Sequence, residues 1–339
     1  MIALREKDYR MISPPSGALQ KPAAGIGFIL VGIVAISIND MLIKLLSGGY
    51  PLHQMVFTRS VIGIVFTLML MQIEGGWHIL RTRAPGLHLL RAMMLVLANL
   101  TFFSALASLP LAETTAIFFI APLLITLLSI PFLGEKVGPL RIGAVIVGFV
   151  GVVIMVRPWE SGETRPAAWY IYLLPLLAAL TYAINQLLTR KLGATSKASA
   201  MTAYVQVNFI IVTLVFWAIA GDGRYAVGIE NESLIFLLRA WVWPQGRDVW
   251  LFLGLGLNSA VIGYALAQAY RLADAGTIAP FEYTGLPLAI FWGWMIWGEW
   301  PAPLVMVGIA LILGSGLFVF LRERQKGRLV SAKQLQRRH

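Results

Sequence analysis

TAIFFIAPLLITLLSIPFLGEKVGPLRIGAVIVGFVGVVIMVRP (Thr115–Pro158) is an apolar run with a proline near its start, a Gly-Glu turn, and a second, glycine-rich apolar run ending at an arginine. The same plan returns between Thr277 and Arg322. Pro122 is matched by Pro287, Gly134-Glu135 by Gly298-Glu299, Pro139 by Pro303, Gly143 by Gly308, Gly151 by Gly316 and Arg157 by Arg322. The separations are 164 or 165 residues, about half of the 339-residue chain. A repeated apolar unit of this size predicts a duplicated architecture.

The solvent of that architecture follows from composition. The chain is 58% hydrophobic and 13% charged, against about 25% charged residues in soluble domains. The charges cluster between long uncharged runs, the pattern of an integral membrane protein. A net charge of +11 would otherwise raise the question of nucleic acid. Seven of the 27 basic residues, however, lie between Arg322 and Arg338, where they suit anionic headgroups. The partners expected are therefore a lipid bilayer and a small solute, with no nucleic acid. There is no cysteine, and the four histidines are scattered. No disulfide, metal site or cofactor is expected.

Crossing the hydrocarbon core takes about 20 apolar residues. Ten spans are expected: 25–46, 54–73, 86–108, 112–133, 140–157, 169–190, 200–220, 250–272, 275–297 and 302–321. With the N-terminus cytoplasmic, nineteen Lys and Arg residues fall on inner segments and five on outer ones, while Lys44, Arg59 and Arg91 sit within spans. Positive charge stays inside, so both termini are expected in the cytoplasm. Five spans per copy is an odd number, so the second copy enters the membrane from the opposite side. The fold class expected is all-α and integral to the membrane, with ten transmembrane helices in two inverted five-helix repeats, the design of secondary transporters. The segments are a disordered tail 1–24, a first repeat 25–158, a second repeat 169–321 and a basic tail 322–339. An outer loop, 221–249, breaks the symmetry. Its core 233–244 is too short to span and is expected either as a helix in the outer interface, with Trp241 and Trp243 at headgroup level, or as disordered loop.

ALASLPLAETTAIFFIAPLLITLLSIPFLGEKV (105–137) and GFVGVVIMVRP (148–158) resemble the drug/metabolite transporter superfamily, and its EamA-type carriers in particular. SINDMLIKLLSGGYPLHQMVFTRS (37–60) is similar to the bacterial branch that includes carriers for S-adenosylmethionine and riboflavin. The resemblance covers about residues 25–322. It implies a multi-pass inner-membrane carrier of a small polar metabolite, amino-acid-like or cofactor-like, working by alternating access with a proton gradient or by exchange.

Polar residues inside spans are costly and mark candidate function. Asn39 and Asp40 lie in the first span, and Asn185 in the sixth repeats the theme. Asp40 suits a cationic group or a proton, or an ion pair with Lys44 or Arg59. Arg59 suits a substrate carboxylate, or snorkels to the outer surface. Arg91 is expected to snorkel. Glu282, with Tyr283, precedes the Gly285/Pro287 break and is the second candidate for proton coupling. Tyr182, Tyr264 and Tyr283 offer rings to a cationic or planar ligand. Ala144 with Gly148, and Ala310 with Gly314, are small residues four apart, suited to helix packing or a homodimer surface. Glu135 and Glu299 are expected to cap or pair locally. There is no phosphate-binding GxxxxGK[ST] and no nucleophile elbow or HExxH, so no enzymatic activity is expected. The alternative from another class is a membrane enzyme acting on a lipid-linked substrate.

Overall fold

In hydrocarbon every backbone N–H and C=O needs an internal partner, and a helix supplies one within each segment. The computed structural model describes residues 22–82, 84–133, 138–157, 159, 168–193, 196, 198–272 and 281–336, with no strand among them. Its helices are α1 (Pro22–Leu46), α2 (Leu52–Glu74), α3 (Pro85–Ser108), α4 (Leu111–Phe118), α5 (Ala121–Leu133), α6 (Pro139–Val156), α7 (Leu173–Gly193), α8 (Ala198–Ala220), α9 (Glu232–Leu238), α10 (Arg247–Leu272), α11 (Gly285–Trp297) and α12 (Pro303–Gln336). Most of the N-terminal tail, the Gly134–Glu135 turn and the start of the expected ninth span lie outside the described residues.

Eight helical stretches are long and apolar enough to cross a membrane, α4 and α5 counting together as one. The expected fifth and ninth spans correspond to shorter apolar helices, Ile142–Val156 and Gly285–Trp297. Many large apolar side chains point away from the protein, among them Met69, Ile146, Val150, Leu214 and Phe318. In water such a surface would drive association, whereas lipid is its natural solvent.

The prolines of the repeated stretch act where their chemistry dictates. Pro122 lacks an N–H, and its ring clashes with the carbonyl four residues back, at Phe118. Accordingly α4 stops at Phe118 and α5 starts at Ala121. Pro287 does the same to Tyr283, and α11 begins just after it. The two breaks meet: the rings of Phe119 and Tyr283 are 5.5 Å apart.

Helices pair across the chain: α1 with α10, α3 with α7, α2 with α8, α4 with α11 and α6 with α12. Glycine closes the last pair. A Cβ on Gly151 would lie 2.8 Å from the Gly308 carbonyl, and one on Gly308 would lie 2.7 Å from the Gly151 carbonyl. These glycines therefore act within the chain, letting two backbones touch, while Gly143 and Gly314 face open space.

Candidate functional site

A cavity of about 490 Å³ lies between the two halves, within the range of small-molecule sites. It is lined from α1, α2, α3, α4, α7, α8, α10 and α11, and Asn39, Asp40, Arg59, Tyr182, Asn185 and Glu282 are all on its wall. The structure thus gathers six of the eight candidates from sequence. Tyr264 is 43% exposed on the outside of α10, edge-on to Phe28 at 6.0 Å. Tyr283 packs on Phe119 and against Gly316 of α12, behind the wall.

The polar centre is a relay across three helices. Asn39 Nδ2 donates to Asp40 Oδ1 at 3.1 Å, and Arg59 Nη1 donates to Asn39 Oδ1 at 3.4 Å. Arg59 Nη2 donates to Asn99 Oδ1 at 2.8 Å. The guanidinium lies 5.6 Å from the Phe103 ring centre and 5.5 Å from that of Phe209. Arg59 is 9% exposed and does not snorkel. Asn99 escaped the sequence reasoning; a single amide in the apolar run of α3 was its only signal. On the same wall, Phe102, Phe118 and Tyr182 form an aromatic row with centroid separations of 5.2 and 5.3 Å. Gln186 donates to the Tyr182 hydroxyl at 2.5 Å.

Three expectations need correction. Lys44 does not pair with Asp40, one turn away. Its ammonium donates to both Glu299 oxygens at 2.8 Å and to the Leu109 carbonyl at 3.1 Å, beneath the Trp297 ring. Glu299 is consequently no local cap. Gly298, at φ +66°, turns the chain sharply after α11 and presents the carboxylate to α1 and to the Leu111 N–H; glycine alone adopts that φ cheaply. Arg91 does not snorkel either. It is 5% exposed and donates to Thr189 Oγ1 and the Met201 carbonyl, tying α3 to α7 and α8. For each cation a fixed acceptor from a distant part of the chain outcompetes the route to water, because a buried charge without partners is far costlier than one with several.

Segment 221–246 covers the end of the bundle where α1 leads into α2. The Ser233 hydroxyl donates to the Ser104 carbonyl at 2.6 Å, and Phe236 is 1% exposed. Gln54 holds Val242 by both backbone groups, at 2.7 and 3.2 Å. Arg239 reaches the Ser47 and Gly48 carbonyls. Tyr50 donates to Asp248 at 2.7 Å, and this accepting carboxylate raises the phenol pKa above its ordinary value. The helix is shorter than the expected 233–244. Beyond Leu238 the chain is extended, which frees Val242 to bond Gln54. Trp241 packs on Phe57 and Trp217, whereas Trp243 is 88% exposed.

Comparisons with known proteins agree on a family. Residues 23–157 match the model of the EamA-like transporter family. A riboflavin transporter of Rhizobium johnstonii is 31% identical over 92% of this chain and 93% of its own length. An S-adenosylmethionine uptake transporter of Rickettsia felis is 24% identical over 91% of this chain and 96% of its own. A solved crystal structure shares the fold with a TM-score of 0.60 at 18% identity, covering 89% of this chain and 98% of that one. With a wall of amides, one guanidinium and aromatic rings between two sets of membrane-capable helices, and with these relatives matched nearly end to end, the chain belongs to the EamA-like transporter family.

Proposed function

We propose that the chain is an inner-membrane secondary carrier of a small polar metabolite. It crosses the membrane ten times as two inverted five-helix repeats, with both termini in the cytoplasm and the Tyr50 end outside. The observation that carries the proposal is the meeting of the two proline breaks, Phe119 against Tyr283, beside a cavity lined from both halves. Broken helices facing each other at a repeat interface are where such carriers hold their solute. Helix pairing supports the symmetry. Exchanging the halves maps the α1–α10 pair onto α7–α3, and maps α2–α8, α4–α11 and α6–α12 each onto itself. Alternating access then requires a closed outer end, which the Lys44–Glu299 pair and segment 221–246 provide.

The relatives' names supply the first solutes to test, riboflavin and S-adenosylmethionine. Asp40 and Glu282, the two carboxylates of the wall, are the groups proposed to take up and release a proton or to meet a cationic solute. The test is uptake by purified protein in liposomes. Saturable accumulation of one of these solutes, stimulated by an imposed pH gradient or by the same solute preloaded inside, is the expected result. Turnover of lipid-linked compounds without solute flux would establish a membrane enzyme instead. If proton coupling runs through the carboxylates, Asp40→Asn or Glu282→Gln abolishes the stimulation by the gradient. Unchanged coupling in both variants assigns them structural roles.

A further inference from the structure

Membrane helices have a standard way to bury a hydroxyl: it donates back to a carbonyl three or four residues earlier in its own helix. This chain uses it widely. Thr67, Thr101, Ser104, Thr114, Thr126, Thr181 and Thr213 all donate in this way, at 2.6 to 3.2 Å. Three buried hydroxyls among the described residues find no partner of any kind. Ser37, Ser60 and Thr115, at 6%, 1% and 9% exposure, have no hydrogen-bond partner. Among the described residues they are the only hydroxyls in this condition, and all three line the cavity. A fourth unpartnered atom on the same wall is the amide oxygen of Asn185, 4% exposed. The contrast is sharpest between neighbours on α4, where Thr114 donates to the Pro110 carbonyl at 3.1 Å while Thr115 is left open.

Buried polar groups are normally satisfied, and each exception calls for a reason. Four exceptions from four helices, α1, α2, α4 and α7, converge on one cavity. We infer that Ser37, Ser60, Thr115 and Asn185 form a hydrogen-bonding collar for the transported molecule, and that this molecule is an uncharged planar heterocycle whose edge carries both donors and acceptors. The inference deepens the carrier reading above and rests on it. Each hydroxyl both gives and accepts a hydrogen bond, and the Asn185 oxygen accepts, so the collar asks for a mixed edge and offers no net charge. The row of Phe102, Phe118 and Tyr182 gives the ring a face to lie on,. The wall's relay charges already have neutral partners: Asp40 accepts from Asn39, and Arg59 donates to Asn39 and Asn99. The four collar groups themselves are all neutral, so none of them supplies a counter-charge to a ligand with a fixed charge.

Binding to the purified full chain tests this separately from transport. The probes are riboflavin, followed by its fluorescence, its anionic 5′-phosphate, cationic S-adenosylmethionine, and adenosine. The collar predicts saturable binding of riboflavin or adenosine, with both charged probes at least about tenfold weaker. Ser60→Ala and Thr115→Val each lower the affinity of the uncharged ligand about 3- to 10-fold, the loss of one hydrogen bond. Thr114→Val, beside Thr115 but outside the collar, leaves that affinity unchanged. Both collar variants are expected to melt no lower than wild type, because they remove an unpartnered group. Equal or tighter binding of either charged probe, no binding of either uncharged one, or wild-type affinity in both collar variants overturns the inference. Selective binding without flux in liposomes would instead retain the collar and reject the carrier reading.

Discussion

Lys44 and Arg59 are both cations held in a low-dielectric interior, and they are held in opposite ways. Lys44 is saturated: a carboxylate grips it with both oxygens, a carbonyl takes a third bond, and an indole ring lies over it. Arg59 leans on two neutral amide oxygens and two phenyl rings. No carboxylate oxygen within 4 Å of it is found among the described residues. An ion pair whose partners lie 255 residues apart is a clamp, since its attraction is already spent within the protein. A guanidinium held by amides keeps much of its field for whatever enters the cavity. Burial alone therefore does not distinguish a structural charge from a functional one; the identity of its partners does.

The largest expected effect breaks this comparison on the Arg59 side. Arg59→Gln keeps hydrogen-bonding capacity towards Asn39 and Asn99 but removes the charge. Transport is expected to fall about 10- to 100-fold, the loss of charge-assisted bonds, with little change in melting temperature. Wild-type uptake in liposomes would place Arg59 with Lys44 as a strut. The next effect falls on the clamp. Lys44→Ala strands a partly buried carboxylate and is expected to cost about 2 kcal/mol, reduced from the fully buried case because Glu299 is 29% exposed,. Lys44→Met with Glu299→Gln is expected to recover more than half of that loss, read as a double-mutant cycle in thermal denaturation. Ser259 of α10 lines the cavity, and since the chain has no cysteine, a thiol introduced by Ser259→Cys reports access to it. An impermeant maleimide is expected to label it faster from the Tyr50 side once the clamp is cut. Equal rates would show that Lys44 holds the fold without gating it. The smallest effect concerns segment 221–246. Gln54→Ala is expected to speed hydrogen exchange around Val242 about tenfold while leaving the exchange of α6 and α12 unchanged.

The elements that repeat were legible in the sequence because local chemistry writes them. Pro122 and Pro287 break their helices where a missing N–H and a ring clash dictate; the glycine-rich runs of α6 and α12 do pack closely, but at Gly151 and Gly308 and not at Gly314, so the small-residue spacing of Ala310 and Gly314 did not mark the contact. The wall was half legible. A polar residue in an apolar run is visible, so Asn39, Asp40, Arg59, Asn185 and Glu282 stood out. Which way a residue faces is another matter. In lipid both the inner and outer faces of a helix are apolar, so the pattern that orients a soluble helix is weak. For this reason Tyr182 and Tyr264 looked alike, although one lines the cavity and the other faces out. Partnerships were the least legible part. Asp40 and Lys44 are one turn apart, and a helix rule pairs them, yet a carboxylate delivered by the turn after α11 takes the lysine. No local rule can foresee a competitor from the other end of the chain.

Gln54 grips Val242 by its backbone N–H and C=O, the same two bonds that make one rung of a β-ladder. The Val242 side chain takes no part in those bonds and is itself 47% exposed. At position 242 the segment is thus held by a residue on α2, whatever the side chain of the residue it holds. Any residue but proline can occupy position 242 without loosening the attachment. The Tyr50 end of the protein can in this way change its chemical face, and what it presents to the surroundings, while the closure beneath it stays in register.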